Sequence, residues 1–272
     1  MKTFIPITLL MFSSLLITSS SGEPREVLTI AAASDAVRPL QEIAGIFEKN
    51  HPVKIEIISG STGKLYTQIT QGAPFHIFFA ADDKRTALLK KEGLAEPGAS
   101  FKVTGTLVVW TNREELALGD KDLSFLKDAG IKHIAVANPD TAPYGYAAFE
   151  ALRNSGLMDS VKDKLVYGES VSHAFNFTRT GNADVAIVSL SIVYGQGGDY
   201  FIVDSRRHSP LIQEAVILKN SPGAAKTFLE FLRGGEAASI FSKYGYKIPV
   251  PKNQRSSLAW MSGAWMADGA AL

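Results

Sequence analysis

The sequence contains no cysteine among its 272 residues. It therefore has neither a disulfide framework nor a thiol for lipid attachment. No charge predominates either, because 28 basic residues nearly balance 27 acidic ones. The chain therefore lacks the excess of basic residues that is typical of proteins that bind nucleic acids or membrane surfaces, and we expect no nucleic-acid partner.

Recognisable catalytic and metal-binding motifs are also missing. The five histidines occur singly, without the spacing of metal ligands: His51, His76, His133, His173 and His208. Gly60-Ser61-Thr62-Gly63 does not have the spacing of the Gly-x-Ser-x-Gly elbow of hydrolases. The sequence therefore predicts a protein that is not an enzyme and has no cofactor.

The only long apolar run lies at the start of the chain. Lys2 precedes the apolar stretch 4–17, and the small residues 19–22 follow. This order is typical of a secretory signal peptide, and the run is too short for a membrane span of ~20 residues. We expect residues 1–22 to be removed, and the exported protein to be free in the periplasm rather than a lipoprotein.

Beyond the leader, strand-like and helix-like segments alternate, which predicts an α/β fold. The apolar stripe of Leu40, Ile43 and Phe47, for example, has helical spacing. The predicted strands are residues 27–33, 53–58, 77–81, 106–111, 134–137, 185–190 and 215–218. Strands near the start predict one doubly wound sheet, and those between about 106 and 200 predict a second.

Two short polar turns are the most informative local feature. Ala33-Ser34-Asp35 and Gly60-Ser61-Thr62-Gly63 each follow a strand and open a helix. A hydroxyl there lies beside the unpaired N–H groups of the first helical turn. Two such turns facing each other would form a cage of neutral donors for a small oxyanion. Taken singly, each hydroxyl is better explained by helix capping than by ligand binding.

A third turn, residues 138–145, again lies between a strand and a helix. Ligands of open α/β sheets bind beyond the carboxyl ends of strands, where all three turns fall. If the third turn belongs to the second domain, its N–H groups can close on the ligand from the opposite side.

Several ordered blocks carry a family resemblance. They are 31–35, 60–66, 71–75, 138–145, 167–171, 180–184 and 244–246. In this order and spacing the chain resembles the periplasmic molybdate-binding proteins of ABC transporters, over residues 26 to 250. The resemblance implies a type II periplasmic-binding-protein fold: two α/β lobes, each a doubly wound mixed sheet, with the ligand in the cleft between them.

The same resemblance suggests the domain boundaries. Lobe I would take residues 26–104 and, after a return crossing, 206–250, while lobe II would take 105–205. The tail 251–272 lies beyond the resemblance and has no assigned role.

Ligand residues are likewise implied by the resemblance, position by position. Ser34 and Thr62 would supply hydroxyls, with Ser61 as the alternative to Thr62. Tyr144 and Val171 would supply backbone N–H groups. Some relatives use a tyrosine where this chain has Ser189, which is therefore a candidate fifth ligand. Molybdenum would be present only as molybdate held at Ser34, Thr62, Tyr144 and Val171.

The implied function is capture of molybdate or tungstate by a monomeric protein and its delivery to ABC permease subunits in the inner membrane. A dianion without protons suits a cage made of donors alone, whereas phosphate also needs an acceptor for its proton. Sulfate and phosphate receptors are the alternatives. An iron-binding protein would need paired tyrosines, for which Tyr194 and Tyr200 are candidates. A fold that has lost its ligand is a further alternative.

Two charged residues lie next to the polar turns. Asp35 would accept from the N–H groups of its own helix and not meet the ligand, although as an acceptor in the site it would favour phosphate. Lys64 is predicted to be a solvated helix residue, because the sequence around it lacks the pattern of a phosphate-binding loop.

Overall fold

The computed structural model describes residues 26–119 and 121–248. The predicted signal peptide and the tail 251–272 lie outside these residues. Within the described chain, no helix is long and apolar enough to cross a membrane.

Helices and strands alternate along the chain as the sequence predicts. The strands are β1 (Glu26–Ala33), β2 (Val53–Gly60), β3 (Ile77–Ala80), β4 (Ala95–Thr104), β5 (Leu107–Thr111), β6 (Ile134–Ala137), β7 (Leu165–Gly168), β8 (Val185–Ser189), β9 (Asp199–Ile202) and β10 (Ile212–Leu218). The helices are α1 (Val37–Asn50), α2 (Thr62–Thr70), α3 (Lys84–Lys91), α4 (Pro143–Asn154), α5 (Met158–Val161), α6 (Val171–Arg179), α7 (Leu190–Val193), α8 (Gly223–Leu232) and α9 (Gly235–Lys243).

The strands form two mixed five-stranded sheets. The first has the order β2-β1-β3-β10-β4, with β1 parallel to β2 and β3, and β10 antiparallel to β3 and β4. The second has the order β7-β6-β8-β5-β9, with β6 parallel to β7 and β8, and β5 antiparallel to β8 and β9. These sheets confirm the predicted α/β fold with two lobes, which we call lobe I and lobe II.

Each lobe is held together by apolar packing. In lobe I the buried face of α1, including Leu40, Ile43 and Phe47, packs in the same core as strand residues Leu28 and Ile30. The helical spacing of these residues places one face of α1 on the sheet, which explains why the segment is helical. Lobe II has its own core, which contains the fully buried Trp110.

Two crossing segments join the lobes: residues 104–107 lead from β4 to β5, and residues 203–212 lead from β9 back to β10. The segments are hydrogen-bonded to each other, because Gly105 N donates to Leu211 O at 2.9 Å. Thr104 also pairs with Lys247 near the end of the described chain. We call this region the hinge. The residue boundaries proposed for the lobes remain a prediction.

The structure contains elements that the sequence interpretation did not predict. Strand β4 carries Pro97 and Gly98, and β7 and β9 are only four residues long, so none shows a clear alternating pattern. Helix α6 was also missed, although Ser170 caps it and its buried residues have helical spacing. The pair Ser221-Pro222 predicts a helix with Ser221 as its N-cap and proline as its first helical residue. In the structure the helix starts one position later, because Pro222 is the N-cap of α8.

Candidate functional site

A small cavity lies between the lobes. It forms where the strands of both sheets end and α2, α4 and α6 begin, as the position of the polar turns predicts. Its lining residues are Ala33, Ser34, Asp35, Gly60, Ser61, Thr62, Ala81, Ala142, Pro143, Tyr144 and Val171. The structure thus brings together five of the six candidate ligand residues.

Backbone donors without acceptors line this cavity. Thr62 and Val171 are the first residues of α2 and α6, and Tyr144 is the second residue of α4. Within residues 26–119 and 121–248, the backbone N–H groups of these three residues have no hydrogen-bond acceptor. Three helices therefore present the positive ends of their dipoles and free N–H groups to one point, which favours an anion.

Three hydroxyls line the same cavity, and each already accepts one backbone hydrogen bond. Ser34 Oγ accepts from Ser172 N at 3.3 Å, and Thr62 Oγ1 accepts from Ala81 N at 3.0 Å. Ser61 Oγ accepts from Lys64 N at 3.4 Å and so caps α2. A hydroxyl that accepts on a lone pair keeps its own hydrogen for another acceptor, so all three can donate to a ligand.

The prediction that Asp35 accepts from its own helix is wrong. The N-cap of α1 is Ala36, and no side chain caps this helix. Instead the buried Asp35 carboxyl accepts from Gln213 Nε2 and from Tyr246 Oη, the latter at 2.8 Å. Burial raises the pKa of Asp35, and the hydrogen bonds from Gln213 and Tyr246 oppose part of this rise. Asp35 does line the cavity, so it is part of the site, contrary to the expectation.

Ser189 lies apart from the other candidates. It is fully buried, its Oγ is 3.0 Å from Ser191 Oγ, and it does not line the cavity. Its role as a fifth ligand has no support in this geometry. Tyr194 and Tyr200 are also absent from the lining and are partly exposed. Among the residues that the structure describes, no cluster of His, Asp and Glu could hold a metal ion.

Contacts across the cleft hold the lobes together beside the cavity, and the sequence did not reveal them. Gly63 N donates to Thr141 O at 2.8 Å, and Arg85 Nη2 donates to Asp140 O at 3.2 Å. Lys64 is half exposed, as predicted for a solvated residue, yet its Nζ lies 2.7 Å from Glu169 Oε1 in lobe II. The lobes are therefore closed on each other in this structure.

Two α/β lobes that close on a cavity lined by hydrogen-bond donors are typical of solute-binding proteins. The chain belongs to the family of bacterial extracellular solute-binding proteins, whose family model matches residues 28–247. Its more particular similarity is to relatives named molybdate-binding protein ModA. The one from Rhodobacter capsulatus is 39% identical over 220 residues, covering 79% of this chain and 86% of the relative. The one from Azotobacter vinelandii is also 39% identical, covering 80% and 88%.

Solved structures agree with this similarity. The periplasmic molybdate-binding protein of Azotobacter vinelandii superposes with a TM-score of 0.78 at 32% identity, covering 82% of this chain and all of that one. The sulfate-binding protein SubI of Mycobacterium tuberculosis gives a TM-score of 0.62 at 17% identity, and shows a shared fold alone. The resemblance to molybdate-binding proteins is thereby confirmed, and the relatives are solute-binding proteins rather than enzymes.

Proposed function

We propose that this protein captures molybdate, or tungstate, in the cavity between its lobes and delivers it to an ABC permease. One observation carries the proposal: the polar groups available in the cavity are donors. They are the N–H groups of Thr62, Tyr144 and Val171, together with the hydroxyls of Ser34, Ser61 and Thr62. The two relatives that are 39% identical to this chain are named for the same ligand.

Such a cage can bind a dianion without any positively charged side chain. Hydrogen bonds to a charged acceptor are each worth about 1.5–3 kcal/mol, and helix N-termini add favourable partial charge. Several of them together leave a Kd of about 1 μM or lower after the cost of closing two lobes.

Phosphate is disfavoured by the same arrangement. At neutral pH it carries a proton that needs an acceptor, and an unpaired buried donor costs about 1–3 kcal/mol. Asp35 is the only carboxylate among the lining residues, and its Oδ2 is already hydrogen-bonded to Gln213 and Tyr246. Sulfate has the correct charge, but it is smaller than molybdate and would make longer hydrogen bonds in the same cage.

The surroundings of the protein follow from this proposal. A receptor for an ABC importer works in the periplasm as a monomer, after removal of its signal peptide, and its partners are the permease subunits of the inner membrane. The bound oxyanion is its cargo, and no cofactor takes part.

The test is calorimetric titration of the dialysed, exported protein at neutral pH with molybdate, tungstate, sulfate and phosphate. We expect one-to-one binding of the first two in the micromolar range or tighter, with little heat from the others. Preferential binding of sulfate or phosphate would overturn the assignment of the ligand and leave the receptor function. Absence of binding by all four anions would overturn the proposal itself.

A further inference from the structure

The side chain of Tyr144 connects the cavity with the hinge. Its backbone N–H belongs to the first turn of α4 in lobe II and lines the cavity. Its ring is almost fully buried, and its hydroxyl lies beside Gly105 in the first crossing segment. A Cβ atom at position 105 would overlap this hydroxyl, so only glycine leaves room for it. The residue therefore reaches from the cavity to the crossing segments that join the lobes.

A glutamine amide anchors the Tyr144 hydroxyl to lobe I. Gln213 lies on β10, next to the second crossing segment, and its Nε2 donates to Tyr144 Oη at 3.0 Å. The same Nε2 also donates to the Asp35 carboxyl. All three residues are buried, with at most 2% of their surface exposed. We call Asp35, Tyr144 and Gln213 the hinge triad.

The Gln213 amide joins one oxygen atom from each lobe. Its Nε2 donates to the Asp35 carboxyl of lobe I and to Tyr144 Oη of lobe II, while within the described residues its Oε1 is buried without a hydrogen-bond partner. The amide therefore links the two lobes through one side-chain atom.

Tyr246 provides a natural comparison. Its hydroxyl donates to the same Asp35 Oδ2 atom at 2.8 Å, and it is equally buried. However, Tyr246 packs in the core of lobe I and does not line the cavity, and its hydroxyl also lies 3.3 Å from Ser191 Oγ on α7 of lobe II. The two phenols thus share a partner and both contact the opposite lobe, but only Tyr144 belongs to a helix that begins at the cavity.

We propose that Tyr144 is a positioning residue that couples anion binding to closure of the lobes. Its N–H meets the anion, and its hydroxyl, held through Gln213 to Asp35, fixes α4 against lobe I when the cleft closes. This inference rests on the proposed function, because it requires that binding of an oxyanion stabilises the closed form of the two lobes.

The experiment compares Tyr144→Phe with the matched control Tyr246→Phe. Each change removes one buried hydroxyl and keeps the ring and the backbone N–H, so similar losses of thermal stability are expected. Molybdate should bind Tyr144→Phe about tenfold more weakly, the effect of one lost buried hydrogen bond, mainly through faster dissociation. Tyr246→Phe should stay within about twofold of the wild type, because the Tyr246 hydroxyl is 3.3 Å from Ser191 Oγ of lobe II, and Ser191 Oγ still donates to Asp35 O at 2.8 Å without it. Equal affinities for all three proteins, or equal weakening in both variants, would overturn the inference.

Closure can be measured directly because the chain has no cysteine. Cysteines introduced at the exposed positions Lys49 in lobe I and Asp163 in lobe II would carry spin labels for an interlobe distance measurement. With saturating molybdate, Tyr144→Phe should keep a long-distance population that the wild type and Tyr246→Phe lose. Distance distributions recorded without anion distinguish failure of the proposed function from failure of the role of Tyr144 in closure. If the wild type does not bind molybdate, the proposed function fails. If the anion-free distribution of Tyr144→Phe is also the same as that of the wild type, the role of Tyr144 in closure fails as well.

Discussion

Replacing Gly63 with alanine should stabilise the protein and at the same time weaken its binding of ligand. Gly63 is the second residue of α2, and its N–H donates across the cleft to Thr141 O. A Cβ atom at this position would lie 2.9 Å from Thr141 O and 3.0 Å from Thr141 Cα. Both neighbours are backbone atoms of lobe II, so the contact can be relieved only by separating the lobes.

The two effects can be estimated separately. Alanine in a helix is favoured over glycine by about 0.5–1 kcal/mol, since glycine loses more backbone entropy on folding. That gain should raise the Tm of the ligand-free protein by roughly 1–4 °C. Overpacking costs about 1–3 kcal/mol, and here it falls on the closed form that holds the ligand. Affinity should therefore fall about 5- to 150-fold.

Gly45→Ala is the matched control, because Gly45 lies in α1 and a Cβ atom there would have no neighbour within 4 Å. It should raise the Tm by a similar amount and leave the affinity unchanged. Calorimetric titration with molybdate and thermal unfolding without ligand measure the two quantities. If Gly63→Ala binds as tightly as the wild type, closure does not require this contact, and the reasoning is refuted.

Three further predictions follow from the site and its surroundings. Thr62→Val and Ser34→Ala should each weaken molybdate binding by about 1.5–3 kcal/mol in calorimetry, since each removes a donor to a charged ligand. Thr67→Val, on the exposed side of the same helix as Thr62, should bind normally. Lys64→Ala should weaken binding only slightly, because both partners of its ion pair with Glu169 are exposed, and titrations at high salt should abolish the difference. Asp184→Asn should lower the free energy of unfolding in urea at pH 7. Although burial raises the pKa of Asp184, hydrogen bonds from the backbone N–H groups of His133 and Lys132 and from Arg113 outweigh it and lower that pKa below 3.8. The stabilisation by a lowered pKa is present above about pH 4 and is lost as the pH falls through the folded value, so variant and wild type should converge in acid.

Local patterns in the sequence predicted most of the fold. The apolar stripe of α1 and the alternation in β2 are strong signals, and both elements lie where they were expected. The elements that were missed have weak local signals. Strand β4 contains Pro97 and Gly98, and it is stable because it pairs with β10 from the other end of the chain. A single sequence does not display such a pairing.

The site was predicted in part. Hydroxyls at strand-to-helix turns indicated Ser34, Ser61 and Thr62, because that chemistry depends on local backbone geometry. The expectation for Asp35 failed because its partners, Gln213 and Tyr246, are 178 and 211 positions away. Helix α6 had a usable signal in Ser170 and the spacing of Val171, Ala174 and Phe175, which an examination of helical periodicity would have detected.

The sequence by itself determined which segments become strands and helices and where donor-rich turns occur, since both depend on residues close together along the chain. Only the tertiary structure decided that turns from residues 34, 62, 144 and 171 surround one cavity and that Tyr144 meets Gln213 at the hinge. It also decided that Ser189 lies outside the cavity. These facts depend on how two separate hydrophobic cores pack against each other, and the free energy of that packing is not encoded in any short stretch of the chain.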